Sequence, residues 1–148
     1  MSTPLPPTPD LWNLLHDGYV DDLERPAPDV LRLRVRCMYL AERLNPRSDA
    51  FRIELHGVTL ATYEPYDRPA APLAQVDTHG RIDFVTAEVE GDHLAIWGSA
   101  GCLRLAYASA VLALDDGRKI TLEALRAEAA AYWETFGKHG RRASTAPR

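Results

Sequence analysis

The stretch Val30–Cys37 reads Val-Leu-Arg-Leu-Arg-Val-Arg-Cys, and it is the most regular pattern in the chain. Apolar residues and arginines alternate along it without a break. Because a β-strand sends successive side chains to opposite faces, the pattern predicts a strand with one buried face and one face that carries Arg32, Arg34 and Arg36. A helix would instead scatter the arginines around its circumference. We therefore take this strand as the centre of the fold.

Strand patterns continue on both sides of this centre. The apolar positions change parity within Arg81–Glu90, which predicts a one-residue β-bulge near Phe84-Val85. Cys102–Leu114 is apolar on both faces, so we expect it to be one strand that is covered on both sides. The other predicted strands are Tyr19–Leu23, Phe51–Leu55, Val58–Tyr63, Leu73–Asp77 and His93–Trp97.

Two segments interrupt the strand pattern. Glu64–Pro72 contains Pro65, Pro69 and Pro72, which lack a backbone N–H donor, so it is predicted to be the longest exposed loop. Met38–Leu44 fits either an extension of the central strand or a helical turn. In either case Asn45-Pro46 is expected to end the element.

A C-terminal helix is predicted over Leu122–Phe136. Its apolar residues recur at steps of three and four, Thr121 is a good N-cap, and Gly137 is the natural stop. We expect the helix to pack on a row of small residues that allows close approach: Ala106, Ala108 and Ala110.

These elements predict an α+β fold, a meandering antiparallel sheet of about six to eight strands with one C-terminal helix packed on it. A closed or nearly closed β-barrel with the helix outside is the alternative. The 148 residues suffice for one domain with a sizeable core. We divide the chain into a disordered N-terminal arm (1–9), a single α+β domain (10–137) and a disordered basic tail (138–148).

Composition and charge limit the function classes. The net charge of −4 argues against a nucleic-acid partner, and no run approaches the length of a membrane span. The N-terminus lacks the features of a signal peptide, so we expect a cytoplasmic protein. Cys37 and Cys102 lie in apolar runs and are expected to be buried free thiols, although a disulfide remains open if their Cα atoms come close.

Few residues suggest catalytic or metal chemistry. His16-Asp17-Gly18 fits an acid/base or metal pair, but we favour a turn in which Asp17 caps backbone amides and Gly18 is left-handed. His56, His79 and His93 lie at predicted turns without diagnostic metal spacing. The sequence contains no Gly-x-Ser-x-Gly elbow and no phosphate loop. We therefore expect no catalytic residues, no metal and no cofactor.

The arginines of the central strand have two interpretations. In the first, they bind phosphates or a carboxylate-rich partner. In the second, they form ion pairs across strands with acids such as Glu54 or Asp21. We favour the second, because the chain as a whole is acidic.

Two kinds of residue are candidates for contact with a partner. Residues 1–30 carry six acidic groups against one arginine, and such a segment can steer a basic partner. The proline-rich loop is flanked by tyrosines, which often anchor interfaces. The candidate partner-binding residues are Asp17, Asp21, Asp22, Glu24, Asp29, Tyr63 and Tyr66.

Several short motifs resemble small uncharacterised bacterial proteins akin to the immunity proteins of polymorphic toxin systems. These motifs are Leu15-His16-Asp17-Gly18, Leu31-x-Leu33, Tyr39-Leu40, Phe51-x-Ile53-x-Leu55-x-Gly57-Val58 and Tyr132-Trp133, and the resemblance covers residues 11–136. The resemblance carries no catalytic residue. It implies a non-enzymatic binding protein, with another protein as partner, that neutralises a toxin domain.

The alternative function is a small-ligand- or metal-binding domain with an enzymatic activity. Its pocket would be lined by His16, Asp17, His56 and His93. The sequence leaves the oligomeric state undetermined.

Overall fold

The strands form two antiparallel sheets of five strands each in the computed structural model, which describes residues 4–76 and 82–144. Sheet A has the order β10-β3-β2-β1-β6, and sheet B has the order β5-β4-β9-β8-β7. The strands of sheet A are β1 (Tyr19–Ala27), β2 (Val30–Arg36), β3 (Ala50–His56), β6 (Ile82–Asp83) and β10 (Ser109–Leu114). Those of sheet B are β4 (Leu60–Pro65), β5 (Ala71–Pro72), β7 (Thr86–Glu90), β8 (His93–Trp97) and β9 (Gly101–Ala106).

The arginine-rich strand is the middle strand of sheet A, between β1 and β3. Its alternation is realised as predicted, because Leu31, Leu33 and Val35 are buried and the arginines are half-exposed. Leu33 pairs in register with Ile53, which is also buried. Apolar side chains from both sheets and from the helices form one buried cluster.

The α+β class and the antiparallel arrangement are confirmed, but the strands divide between two sheets, and residues 4–76 and 82–144 form no closed barrel. Two strand predictions differ for this reason. The parity change at Phe84-Val85 is not a bulge: β6 belongs to sheet A and β7 to sheet B, so the chain changes sheet there. Cys102–Leu114 is likewise two strands, β9 and β10, in different sheets.

Other local predictions differ in detail. Val89 is 63% exposed, although its parity suggested a buried position. Leu73–Gln75 forms a 3-10 turn instead of an edge strand. The proline-rich loop is shorter than predicted, because β4 continues to Pro65 and Ala71–Pro72 pairs with β4 as β5.

The described part of the chain forms three α-helices, which lie at the end of sheet A where β1 begins and β2 ends. They are α1 (Pro9–Leu14), α2 (Met38–Leu44) and α3 (Leu122–Ser144). The helical interpretation of 38–44 is therefore the right one. Helix α3 packs against α2 and α1 and buries Leu125 and Ala129, while Trp133 stays 40% exposed. None of the described helices is both long and apolar enough to cross a membrane.

The two ends of the chain differ from the sequence predictions. Leu5 pairs with Ala110, through hydrogen bonds of 2.7 and 2.8 Å, at the position where the C-terminal helix was expected. Leu5 of the predicted disordered arm therefore lies against β10, and Pro9 begins α1. Helix α3 continues past Gly137 to Ser144, so it includes part of the predicted tail. Residues 1–3 and 145–148 lie outside the described residues.

Candidate functional site

The outer face of sheet A carries an ion-pair network centred on the arginines of β2. Arg32 contacts Glu54 at 2.8 Å and Glu24 at 3.1 Å. Arg34 contacts Asp21 and lies 3.2 Å from Asp49. The predicted pairing with Glu54 and Asp21 is confirmed, and the arginines largely neutralise the acids of the neighbouring strands.

The network changes the titration of its members. Hydrogen bonds from Arg32 hold the pKa of Glu54 below its usual range, since they favour the ionised carboxylate. The same contacts raise the pKa of Arg32. Because these groups are partly solvated, each pair contributes little to the free energy of folding.

The acidic segment is consequently less available than its composition suggested. Asp21 is a half-buried partner of Arg34 and Arg36, with 18% of its side chain exposed. Glu24 is exposed but bound to Arg32. Asp22, Asp29 and Asp17 are exposed. Of the five predicted acidic contact residues, two are therefore engaged within the chain by arginines.

The His16-Asp17-Gly18 cluster is a turn, but its details differ from the prediction. Asp17 itself is left-handed, with φ of 68°, and its carboxylate lies 3.4 Å from His16 Nε2. Gly18 is required for space, because a Cβ there would lie 2.8 Å from the carbonyl oxygen of Leu15. The other ring nitrogen of His16 bonds to the Val85 carbonyl at 2.8 Å. This turn holds α1 against the edge of sheet B.

The described histidines have separate carboxylate partners. His16 lies beside Asp17, His56 lies 2.9 Å from Glu54, and His93 lies 3.5 Å from Glu90. His79 lies outside the described residues. Within residues 4–76 and 82–144 no group of three or more His, Cys, Asp or Glu side chains is arranged to hold a metal ion. Among these described residues, His16, Asp17, His56 and His93 therefore do not form a metal-binding cluster.

Both cysteines are buried free thiols, as expected. Cys37 lies between β2 and α2, and Cys102 lies on β9 of sheet B. Burial raises the pKa of Cys37 to about 11, which keeps the thiol protonated. Burial also raises the pKa of Cys102. Neither thiol is in the state that nucleophilic chemistry requires.

A cavity lies at sheet B, beside the loop that follows β4. Its volume is about 790 Å³, which is within the range of ligand sites. The polar members of its wall are Asp67, Arg68, Gln75 and Ser99, and the apolar members include prolines and alanines from two loops. Two of the predicted contact residues, Tyr63 and Tyr66, line the same cavity.

Tyr66 is the exposed aromatic residue of this cavity, with 58% of its surface accessible. Its hydroxyl donates a 2.7 Å hydrogen bond to the Gly98 carbonyl, and its ring stacks nearly parallel to Trp97 at 6.5 Å between centroids. Trp97 is itself covered by the Arg104 guanidinium at 5.5 Å. Tyr66 is therefore exposed but held in place, so little side-chain freedom would be lost on binding.

Tyr63 has a different position in the same wall. It is 4% exposed, in a strand whose neighbours are β5 and β9, and burial raises the pKa of its phenol. Tyr63 therefore packs in the core and supports the wall of the cavity. Tyr66 presents the accessible ring.

Sequence patterns did not single out the residues that complete this site. Trp97 and Arg104 hold Tyr66 from one side, and the Ser99 backbone is anchored by a 2.9 Å hydrogen bond to Asp83. The sequence feature that could have indicated this part of the site is the loop Gly98–Gly101 between two strands, because loops often carry binding residues. Comparison of the chain with models of protein families, with curated proteins and with solved structures gave no match.

Proposed function

We propose that this chain is a non-enzymatic binding protein that takes up a segment of another protein in the cavity beside Tyr66. The observation that carries the proposal is a tyrosine that is 58% exposed and held in place beside a cavity of about 790 Å³. Tyrosines that present area at low entropic cost are typical anchors of interfaces. The protonated cysteines and separated histidines support binding over catalysis.

The composition of the wall defines the chemistry of the segment. Pro65, Pro69 and Val76 supply apolar contact, while Asp67 and Arg68 place one charge of each sign at the proline-rich loop. Asp67 and Arg68 also lie 3.5 Å apart, so neither presents an isolated charge. The cavity therefore suits an apolar or aromatic side chain within a segment of low net charge.

A narrower form of this proposal is an immunity-type protein that acts in the cytoplasm and neutralises a toxin domain. It rests on the resemblance of the short sequence motifs. It predicts that the bound partner is a toxin domain and that binding inhibits the activity of that domain.

The test is affinity capture with the wild type and three variants. We expect Tyr66→Ala to lose the partner, because the substitution removes the exposed ring. Trp133→Ala is the matched control, since Trp133 is a similarly exposed aromatic residue that does not line the cavity. A double Asp22→Ala/Asp29→Ala variant tests the acidic segment without removing the carboxylates that hold Arg34 and Arg32.

A partner retained by Tyr66→Ala would contradict the cavity assignment. If that partner is lost in the Asp22/Asp29 variant instead, the acidic segment is the contact surface. If no protein binds but native mass spectrometry finds a small molecule that is lost in Tyr66→Ala, the small-ligand alternative replaces the protein-binding proposal.

A further inference from the structure

The outer face of sheet A contains a second hollow, beside β10. Its volume is about 240 Å³, and its wall includes Arg32, Arg52, Glu54 and Lys119. Ala113 also lines it, and this small side chain leaves room between its longer neighbours.

The backbone places two cations on either side of Ala113. Ala113 pairs in register with Arg52 on β3, and on its other side it forms a bridge with Lys119. Residues directly opposite each other across antiparallel strands project from the same face. Arg52 and Lys119 therefore flank the hollow.

The charges around the hollow are unevenly compensated. Arg32 and Glu54 neutralise each other at 2.8 Å, and Glu54 also contacts His56 at 2.9 Å. Arg52 donates a 3.2 Å hydrogen bond to the Asp115 carbonyl. Among the described side chains, no carboxylate forms an ion pair with Arg52 or Lys119.

The residue opposite Arg52 shows how uneven the compensation is. Arg34 pairs in register with Arg52 across β2 and β3, and it contacts Asp21, Asp49 and Asp115. Like charges directly opposite each other on a sheet are unfavourable unless they are compensated. Three carboxylates compensate Arg34, which leaves the charge of Arg52 free for a ligand.

We propose that the hollow between Arg52 and Lys119 binds the phosphate group of a small ligand. A guanidinium presents parallel N–H donors to an oxyanion, and the Lys119 ammonium adds a compact charge from the opposite side. A phosphate dianion matches two uncompensated cations, whereas a carboxylate carries one charge. The neighbouring hollow of about 190 Å³ is also lined by Arg32, Arg34 and Arg52, but Asp22 and Glu24 lie in the same wall and make it less suited to an anion.

The test is an NMR titration of the full chain at constant low ionic strength, because salt screens exposed charges. The probes are inorganic phosphate, pyrophosphate and, as a carboxylate, acetate. We expect saturable shifts of the amides near residues 52, 113 and 119 with both phosphate probes, and weaker binding of acetate.

Variants separate a built site from general charge attraction. Arg52→Ala and Lys119→Ala should each weaken phosphate binding by at least about tenfold, since each removes a charge-assisted hydrogen bond. Arg25→Ala is the matched control, because Arg25 is an exposed arginine outside this hollow and the charge change is the same. Melting curves establish that each variant is folded.

Two results would overturn the proposal. Acetate that binds as tightly as phosphate would exclude a phosphate site. A loss of affinity in Arg25→Ala equal to that in Lys119→Ala would show that the anion responds only to net charge.

Discussion

The outer face of sheet A and the Tyr66 cavity of sheet B differ in how clearly the sequence predicts them. A regular pattern marks the first, and no pattern marks the second. The arginine row of β2 is the most regular pattern in the chain, yet most of its charge is compensated by acids on neighbouring strands. The cavity arises from a proline-rich loop without periodicity, yet its volume is about 790 Å³ and it carries an accessible tyrosine that is held in place. Regular alternation thus reports how a strand is buried, whereas accessible binding features arise where the pattern breaks.

The largest expected effect comes from the inner face of sheet A. Phe51 is fully buried on β3, next to the outward-facing Arg52. Phe51→Ala should lower the free energy of unfolding by about 3–5 kcal/mol, because it removes a buried ring and leaves a cavity. Denaturant unfolding measures the change. A loss below about 1 kcal/mol would show that the inner face does not carry the stability of the sheet.

The second prediction compares two arginines that face each other on sheet A. Arg34→Ala should cost about 1–2 kcal/mol, because it removes the cation that Asp21, Asp49 and Asp115 share. Arg52→Ala, at the directly opposite position, should cost less than about 0.5 kcal/mol, because no carboxylate loses a partner. Equal losses in the two variants, measured by the same unfolding assay, would contradict the uneven compensation described above.

The third prediction concerns the pH dependence of the charged face. The pKa of Glu54 is lowered in the folded protein, so its ion pair stabilises the fold above the unfolded pKa of about 4.5. That stabilisation is lost as the pH falls through the lower folded pKa. Unfolding curves from about pH 7 to about pH 3 should show the wild type losing its advantage over Glu54→Gln. A difference that is independent of pH would show that Glu54 is not ionised in the pair.

The smallest effect on stability is expected at the cavity. Tyr66→Ala should change the free energy of unfolding by less than about 0.5 kcal/mol, since its ring is mostly accessible. Its melting temperature should therefore match that of the wild type while partner capture is lost. Tyr66→Phe removes only the hydroxyl that donates to the Gly98 carbonyl, so this variant distinguishes the contribution of the ring from that of the hydrogen bond. A large destabilisation by Tyr66→Ala would show that Tyr66 belongs to the core, and it would contradict the contrast between the charged face of sheet A and the accessible cavity of sheet B.

Much of the local structure followed from the sequence. The alternation in β2 predicted both its strand and its buried face, and the pairing of its arginines with Glu54 and Asp21 followed from opposite charges on neighbouring strands. Tyr66 was predicted as a contact residue from its place beside a proline-rich loop, and it is the accessible ring of the cavity. The start of α3 after Thr121 followed from a hydrogen-bonding cap, which bonds the Ala124 amide at 3.0 Å.

Only the tertiary structure decided which sheet each strand joins. The parity change at Phe84-Val85 and the doubly apolar run Cys102–Leu114 looked like features within single strands, but both are places where the chain crosses between sheets. A two-residue period determines which side chains share a face, because that depends on local backbone geometry alone. The choice of partner strand, and with it the stacking of Tyr66 on Trp97, depends on hydrogen bonds between residues far apart in the chain, which no local pattern specifies.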